Sequence, residues 1–85
     1  VVEEVREPIV DVFDEEDHIL VIAELPGVSE DKIKIEVAGD ILNLTASDTD
    51  KKYAKEILLP SKVKPSSLKT TYKNGILEIK LDKEK

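Results

Sequence analysis

"LKTTYKNGILEIKL" (residues 68–81) alternates side chains with period two on both sides of an Asn-Gly pair. Leu68, Thr70 and Tyr72 fall on one face before the pair, and Leu77, Ile79 and Leu81 on one face after it. Successive strand side chains point to opposite faces, so this period marks strands with one buried side. Asn74-Gly75 supplies the turn, because a type I′ turn needs positive φ at both central positions and these two residue types tolerate it. The stretch predicts an antiparallel hairpin.

The same period runs outward through the chain. "PIVDVFD" (8–14) sets Val10 and Val12 against Ile9, Asp11 and Phe13, with Pro8 where a strand begins. "DEED" (14–17) is a solvated turn. "HILVIAEL" (18–25) is apolar on both faces, which suits a central strand. "PGVSED" (26–31) punctuates with a Pro-Gly turn. "KIKIEVAG" (32–39) puts Ile33, Ile35 and Val37 on one side and Lys32, Lys34 and Glu36 on the other. "DILNLTAS" (40–47) pairs with it across Gly39-Asp40, and "KYAKEILLP" (52–60) is the next strand. In "SKVKPSS" (61–67), Pro65-Ser66-Ser67 starts a single helical turn. Seven short strands at near-regular spacing, with no amphipathic helix, predict an all-β fold, an antiparallel β-sandwich.

Eighty-five residues make one domain, residues 1–85, with its core from about 8 to 83 and short termini. A chain this short buries only about 60 to 65 % of the surface its unfolded form exposes, so its Val, Ile and Leu must be used efficiently. The chain has no Cys, which removes disulfides, thiol chemistry and Cys-based zinc sites and is compatible with a reducing cytoplasm. No apolar run reaches the roughly 18 residues of a membrane span, and "VVEEVREP" is too acidic for a signal peptide. A soluble, cytoplasmic protein is the expectation. The net charge of −6 repels phosphate backbones, so nucleic acid is not an expected partner.

Residues that could carry chemistry are sparse. His18 follows Asp14, Glu15, Glu16 and Asp17, but the run lacks the spaced ligands and central glycine of a calcium loop and reads as a solvated turn. The serines have only His18 as an imidazole base, without a GxSxG elbow. Gly27, Gly39 and Gly75 are isolated turn residues rather than a phosphate-binding loop. The expectation is no enzyme, no cofactor and no metal. "NLT" (43–45) matches a glycosylation pattern but sits inside a strand. Phe13, Tyr53 and Tyr72 are too scattered for base stacking and are expected to fill the core. What remains is the sheet itself, whose edges offer unpaired N–H and C=O groups to an added strand. Ile33, Ile35 and Val37, like Leu68, Thr70 and Tyr72, read equally as plain core or as a partly open groove.

The order "DVFDEEDHILVIAELPGV", "EDKIKIEVAGDILNLTA", "LLP", "YKNGILEIKL" closely resembles the α-crystallin domain of the small heat-shock proteins, from about Pro8 to Lys83. Leu25-Pro26-Gly27-Val28 and Asn74-Gly75-Ile76-Leu77 carry the most specific parts of that resemblance. It implies an immunoglobulin-like β-sandwich and an ATP-independent chaperone that holds unfolding client proteins. It also implies a groove between the family's fourth and eighth strands, where an Ile-x-Ile type tail of a neighbouring subunit docks. Those strands correspond here to Ile33 to Val37 and Leu68 to Tyr72, with Thr70 standing where the family has an alanine.

The chain departs from the pattern in "NLTASDTDKKYAKEI" (43–57). Members of the bacterial, archaeal and plant-like type carry there a long loop with a sixth strand that is exchanged between subunits. Here only "DTDK", or a few residues more, separates Ala46 from Tyr53, and four or five residues span roughly 15 Å at full stretch. A tight hairpin is expected, with no strand-swapped dimer, leaving self-association to edge pairing. An N-terminal arm beyond about seven residues and a C-terminal Ile-x-Ile motif are also missing from the sequence. The short loop and acidic surface leave a second reading open: an adaptor in the style of the CS-domain co-chaperones, docking on a larger chaperone or ATPase. A role in gas-vesicle or similar assemblies is a third, with no residue to argue it.

Overall fold

The computed structural model describes residues 4–48 and 51–84. Its strands are β1 (Glu4–Arg6), β2 (Ile9–Asp14), β3 (His18–Glu24), β4 (Ile33–Ala38), β5 (Ile41–Ser47), β6 (Lys51–Leu58), β7 (Lys69–Lys73) and β8 (Ile76–Asp82). They form two four-stranded sheets, ordered β1-β6-β5-β4 and β2-β3-β8-β7. The sheets enclose one apolar core, so the architecture is the expected all-β sandwich.

Each sheet has an apolar spine. In β3, Ile19, Val21 and Ala23 are buried while Leu20 and Ile22 on the other face are half-buried. An interior strand with two apolar faces is shielded by neighbours on both sides, and β3 indeed lies between β2 and β8. In β5, Leu42, Leu44 and Ala46 are buried and alternate with exposed Asn43 and Thr45. Leu77, Ile79 and Leu81 of β8 are buried in the same core.

All seven expected strands are present. The structure adds β1, which pairs with β6 in parallel through Glu4↔Lys51, Val5↔Lys52 and Arg6↔Tyr53, so the sandwich is not purely antiparallel. A three-residue strand is too short for its periodicity to register. Phe13 is a second correction: it is 44% exposed and outside the core, whereas Tyr53 is buried and Tyr72 half-buried. Phe13 pairs with Leu20, on the face of β3 turned away from the core, so the register of β2 carries the ring outward.

The β7–β8 hairpin forms as expected. Lys73 pairs with Ile76 across Asn74 (φ 52°) and Gly75 (φ 78°), both in the left-handed region a type I′ turn requires. The "NLTASDTDKKYAKEI" stretch is also a hairpin: β5 and β6 pair in register from Ile41↔Leu58 to Ser47↔Lys52, and the Asp48 N–H donates to the Lys51 carbonyl at 2.7 Å. Thr49 and Asp50, at the tip of that expected turn, lie outside the described residues. Pro65–Ser67 forms the single 3-10 turn read from "PSS", and a second such turn, Glu30–Lys32, follows the Pro-Gly turn.

The segment between β6 and β7 fastens the two sheets. Val63 and Leu59 donate to the carbonyls of Gly39 and Asp40 at one sheet, while Lys64 donates to Asp82 at the other. The Ser67 hydroxyl donates to the Lys64 carbonyl (2.6 Å) and accepts the Asp82 N–H (2.8 Å). Backbone groups that a crossing loop would leave unpaired are thereby satisfied.

Candidate functional site: inner faces of the edge strands

The residues expected to line a groove sit on two edge strands, β4 and β7. Register fixes which way they face. Ile33, Ile35 and Val37 pair with Ala46, Leu44 and Leu42, all buried, so they share the inner face of their sheet. Thr70 and Tyr72 pair with Ile79 and Leu77, also buried, and Leu68 precedes β7 with the same parity. An edge strand has a neighbour on one side only, and its inward side chains are covered only in part. Ile33, Ile35, Val37, Leu68 and Tyr72 are accordingly half-buried and packed against the core, while Thr70 is exposed. The outward residues of the same strands, Lys34, Glu36, Lys69, Thr71 and Lys73, are polar and exposed.

Tyr72 has a second connection that spacing does not reveal. Its hydroxyl lies 2.6 Å from the Leu25 carbonyl oxygen and 2.7 Å from that of Val28. One proton serves both acceptors, and the ring thereby ties β7 to the turn that leaves β3. A tyrosine on an edge strand is a legible hint, since a half-buried phenol needs a partner for its O–H, but the partner is 47 residues away.

The two motif segments converge on that turn. The Leu25 N–H donates to the Gly75 carbonyl at 2.8 Å, and the Val28 N–H closes back to the Leu25 carbonyl at 3.4 Å. Gly27 has φ 78°, as the third position of a type II turn demands after proline. A side chain at Gly75 would set its Cβ 3.2 Å from Pro26 Cα, at a φ that L-residues rarely adopt. Leu25 and Leu77 are buried beside it. Leu25, Pro26, Gly27, Asn74, Gly75 and Leu77 thus build one structural junction holding the β3 exit, the β7–β8 hairpin and Tyr72 together. Tyr72→Phe removes the shared proton and is expected to lower stability by about 1 kcal/mol, or about 4 to 8 °C in melting temperature for a domain of this size. A thermal melt of the variant checks it.

Two carboxylates of the acidic turn have side-chain partners. Asp14 pairs with Lys83 at 2.6 Å, and His18 Nδ1 lies 2.7 Å from Asp17 Oδ1. That hydrogen bond holds the exposed Asp17 carboxyl below the usual carboxylate range. Among the described residues, no three His, Cys, Asp or Glu side chains are grouped to hold a metal ion. No helix among them is long and apolar enough to cross a membrane.

The fold defines the class, a small immunoglobulin-like β-sandwich with a row of half-buried apolar side chains on the inner face of edge strand β4. Residues 11–85 match the family model described as Hsp20/alpha crystallin family, and the chain belongs to that family, the small heat-shock proteins, which are chaperones rather than enzymes. It is 27% identical over 92 residues to a probable 15 kDa heat shock protein of Leptospira interrogans, an alignment covering 92% of this chain and 71% of that one. Among solved structures it resembles a mutant of hsp14.1 from Sulfolobus solfatataricus, with TM-score 0.78 and 32% identity, covering 91% of this chain and 75% of that one. Heat shock protein 16.0 from Schizosaccharomyces pombe shares the fold at TM-score 0.82 and 19% identity, over 94% of this chain and 68% of that one.

Proposed function

We propose that this chain is an ATP-independent holdase that keeps unfolding proteins soluble through its sheet edges and the apolar inner faces of β4 and β7. The observation that carries the reading is the row of half-buried Ile33, Ile35 and Val37 on an edge strand. Apolar side chains held at an open edge offer backbone pairing and apolar contact together, which an extended, unfolded segment can use without sequence specificity. The same face, with Leu68, Thr70 and Tyr72, is the proposed dock for an Ile-x-Ile type segment of a neighbouring subunit. Absence of cysteine suits work in a reducing cytoplasm, which we take as its setting.

A second reading is favoured by one observation. The β5–β6 hairpin is in register through Ser47↔Lys52 and gives no room for an exchanged strand. A sandwich of this kind without an exchanged strand suits an adaptor that docks on a larger ATPase or chaperone. Light scattering of a heat-labile client, with and without the chain and with no nucleotide present, separates the two. Suppression at near-equal molar ratio is the expected result. Undiminished scattering, with capture of an ATPase by the immobilised chain, would replace the holdase reading by the adaptor one.

A further inference from the structure

The β2-β3-β8-β7 sheet has an outer face, and its two halves differ in chemistry. Register places Ile9, Phe13, Leu20 and Ile22 on the β2–β3 half, with the carboxylates Asp11 and Glu24. Leu20 and Ile22 are half-buried, whereas Ile9 (65%) and Phe13 (44%) stand exposed. β2 and β3 contain no lysine or arginine. The β8–β7 half carries three exposed lysines, Lys69, Lys73 and Lys80, against Glu78 and Asp82. Lys69 and Lys80 stand directly opposite each other, a like-charge pair that costs stability until a carboxylate approaches. Among the described residues, none of the three lysines is in an ion pair. Lys69 and Lys80 wall a shallow depression with Leu20, Thr71 and Glu78.

We propose that this face is a dimer interface, on which a second copy of the chain packs about a two-fold axis running nearly along the strands. Such an axis lays β2 of one copy over β7 of the other, and β3 over β8, row for row. Phe13 then lies over the partner's Lys69, and Asp11 over the partner's Thr71, beside that lysine. Ile9 and Glu24 meet the partner's Lys73. Phe13 and Leu20 face the partner's depression, where its lysines approach the aromatic ring. Each contact repeats in reverse, so the interface is isologous and closes at two copies. An axis across the strands would instead lay β7 on β7 and set Lys69 against Lys73, so charge selects one arrangement. Packed sheets lie about 10 Å apart with strands crossing at about 30°, which lets the side chains interdigitate. Four strands about 4.8 Å apart and about six residues long offer roughly 400 Å² in plane, against about 800 Å² per partner in a stable complex. The dimer is therefore weak and reversible. A net charge of −6 on each chain opposes approach. At physiological salt that repulsion is screened beyond about 8 Å, while opposite charges in contact are screened less. The inference stands apart from the holdase reading, since the inner faces of β4 and β7 stay uncovered.

Sedimentation equilibrium at physiological salt, with the chain at up to about 1 mM, tests the proposal on wild type, Asp11→Lys, Lys69→Glu and the two changes combined. All four side-chain positions involved are solvent-exposed, and circular dichroism checks that each variant keeps the sheet. Each single variant is expected to weaken the dimer about tenfold or more, and the combined variant to return within about threefold of wild type. Net charge cannot produce that pattern, because the single changes move it in opposite directions and cancel when combined. A contact inside one chain cannot produce it either, because β2 and β7 are three strand spacings apart, roughly 14 Å. Amide NMR shifts that grow with concentration are expected at the outward residues of β2, β3, β8 and β7. A chain that stays monomeric at about 1 mM would overturn the proposal. So would shifts centred on 33–37 or 51–58, which mark edge pairing, or a combined variant no stronger than the single ones. A blocked aspartate–phenylalanine peptide that shifts this face while the chain stays monomeric would also overturn it, since the face would then belong to a foreign segment. Loss of client protection in light scattering removes the holdase reading alone, and loss of the dimer removes this inference alone.

Discussion

Leu44→Ala is expected to lower the free energy of unfolding by about 2 to 5 kcal/mol. Leu44 is fully buried at the centre of β5, the spine of its sheet, between Ile35 of β4 and Lys55 of β6. Removing its side chain loses transfer free energy and leaves a cavity that neighbours pinned by two ladders cannot close. Domains of this size hold about 5 to 15 kcal/mol in total, so the loss is a large share. The matched control is Leu58→Ala in β6, where the side chain is 72% exposed. That variant is expected within about 0.5 kcal/mol of wild type. Urea titration reads both, with the Leu44 variant showing a lower midpoint at unchanged slope. A shift of similar size in the two variants would contradict the placement of the core.

The second large effect concerns Ile35→Glu. Ile35 faces the core opposite Leu44 but lies half-buried on an edge strand. A glutamate there can swing its carboxylate past the open edge into water, so the sheet is expected to survive with a loss of about 1 to 3 kcal/mol. Docking should not survive, because an apolar segment would then have to bury a charge. Affinity for an Ile-x-Ile peptide is expected to fall about tenfold or more, with client protection reduced. Lys34→Glu, on the outward side of the same strand, should leave peptide docking nearly unchanged. Circular dichroism decides between groove and core: collapse of the β-sheet signal in Ile35→Glu would sink the groove assignment for this residue.

The comparison with Leu44 shows how far period-two patterning goes. Ile35 and Leu44 are both aliphatic members of clean alternations, and nothing local distinguishes them. What separates them is that β5 has a strand on each side and β4 has one. Strand order is set by long-range pairing, which is why the residues could be read from the chain only as core or groove. Phe13 teaches the same lesson in reverse, since an aromatic ring in a strand is ordinarily core until the register of β2 turns it outward.

Local pattern alone was enough to read the seven strands from β2 to β8, the hairpin turns at Gly39 and Asn74-Gly75, the short β5–β6 connection and the family. Each of these rests on local rules: side chains alternate, positive φ demands Gly or Asn, and a few residues reach only so far. Tertiary structure alone decided the parallel pairing of β1 with β6, the Tyr72 bond to Leu25 and Val28, the meeting of Pro26 with Gly75, and which edges stand open. Those depend on contacts between residues tens of positions apart. Such contacts form only once both sheets have closed on the core, and no local preference records them.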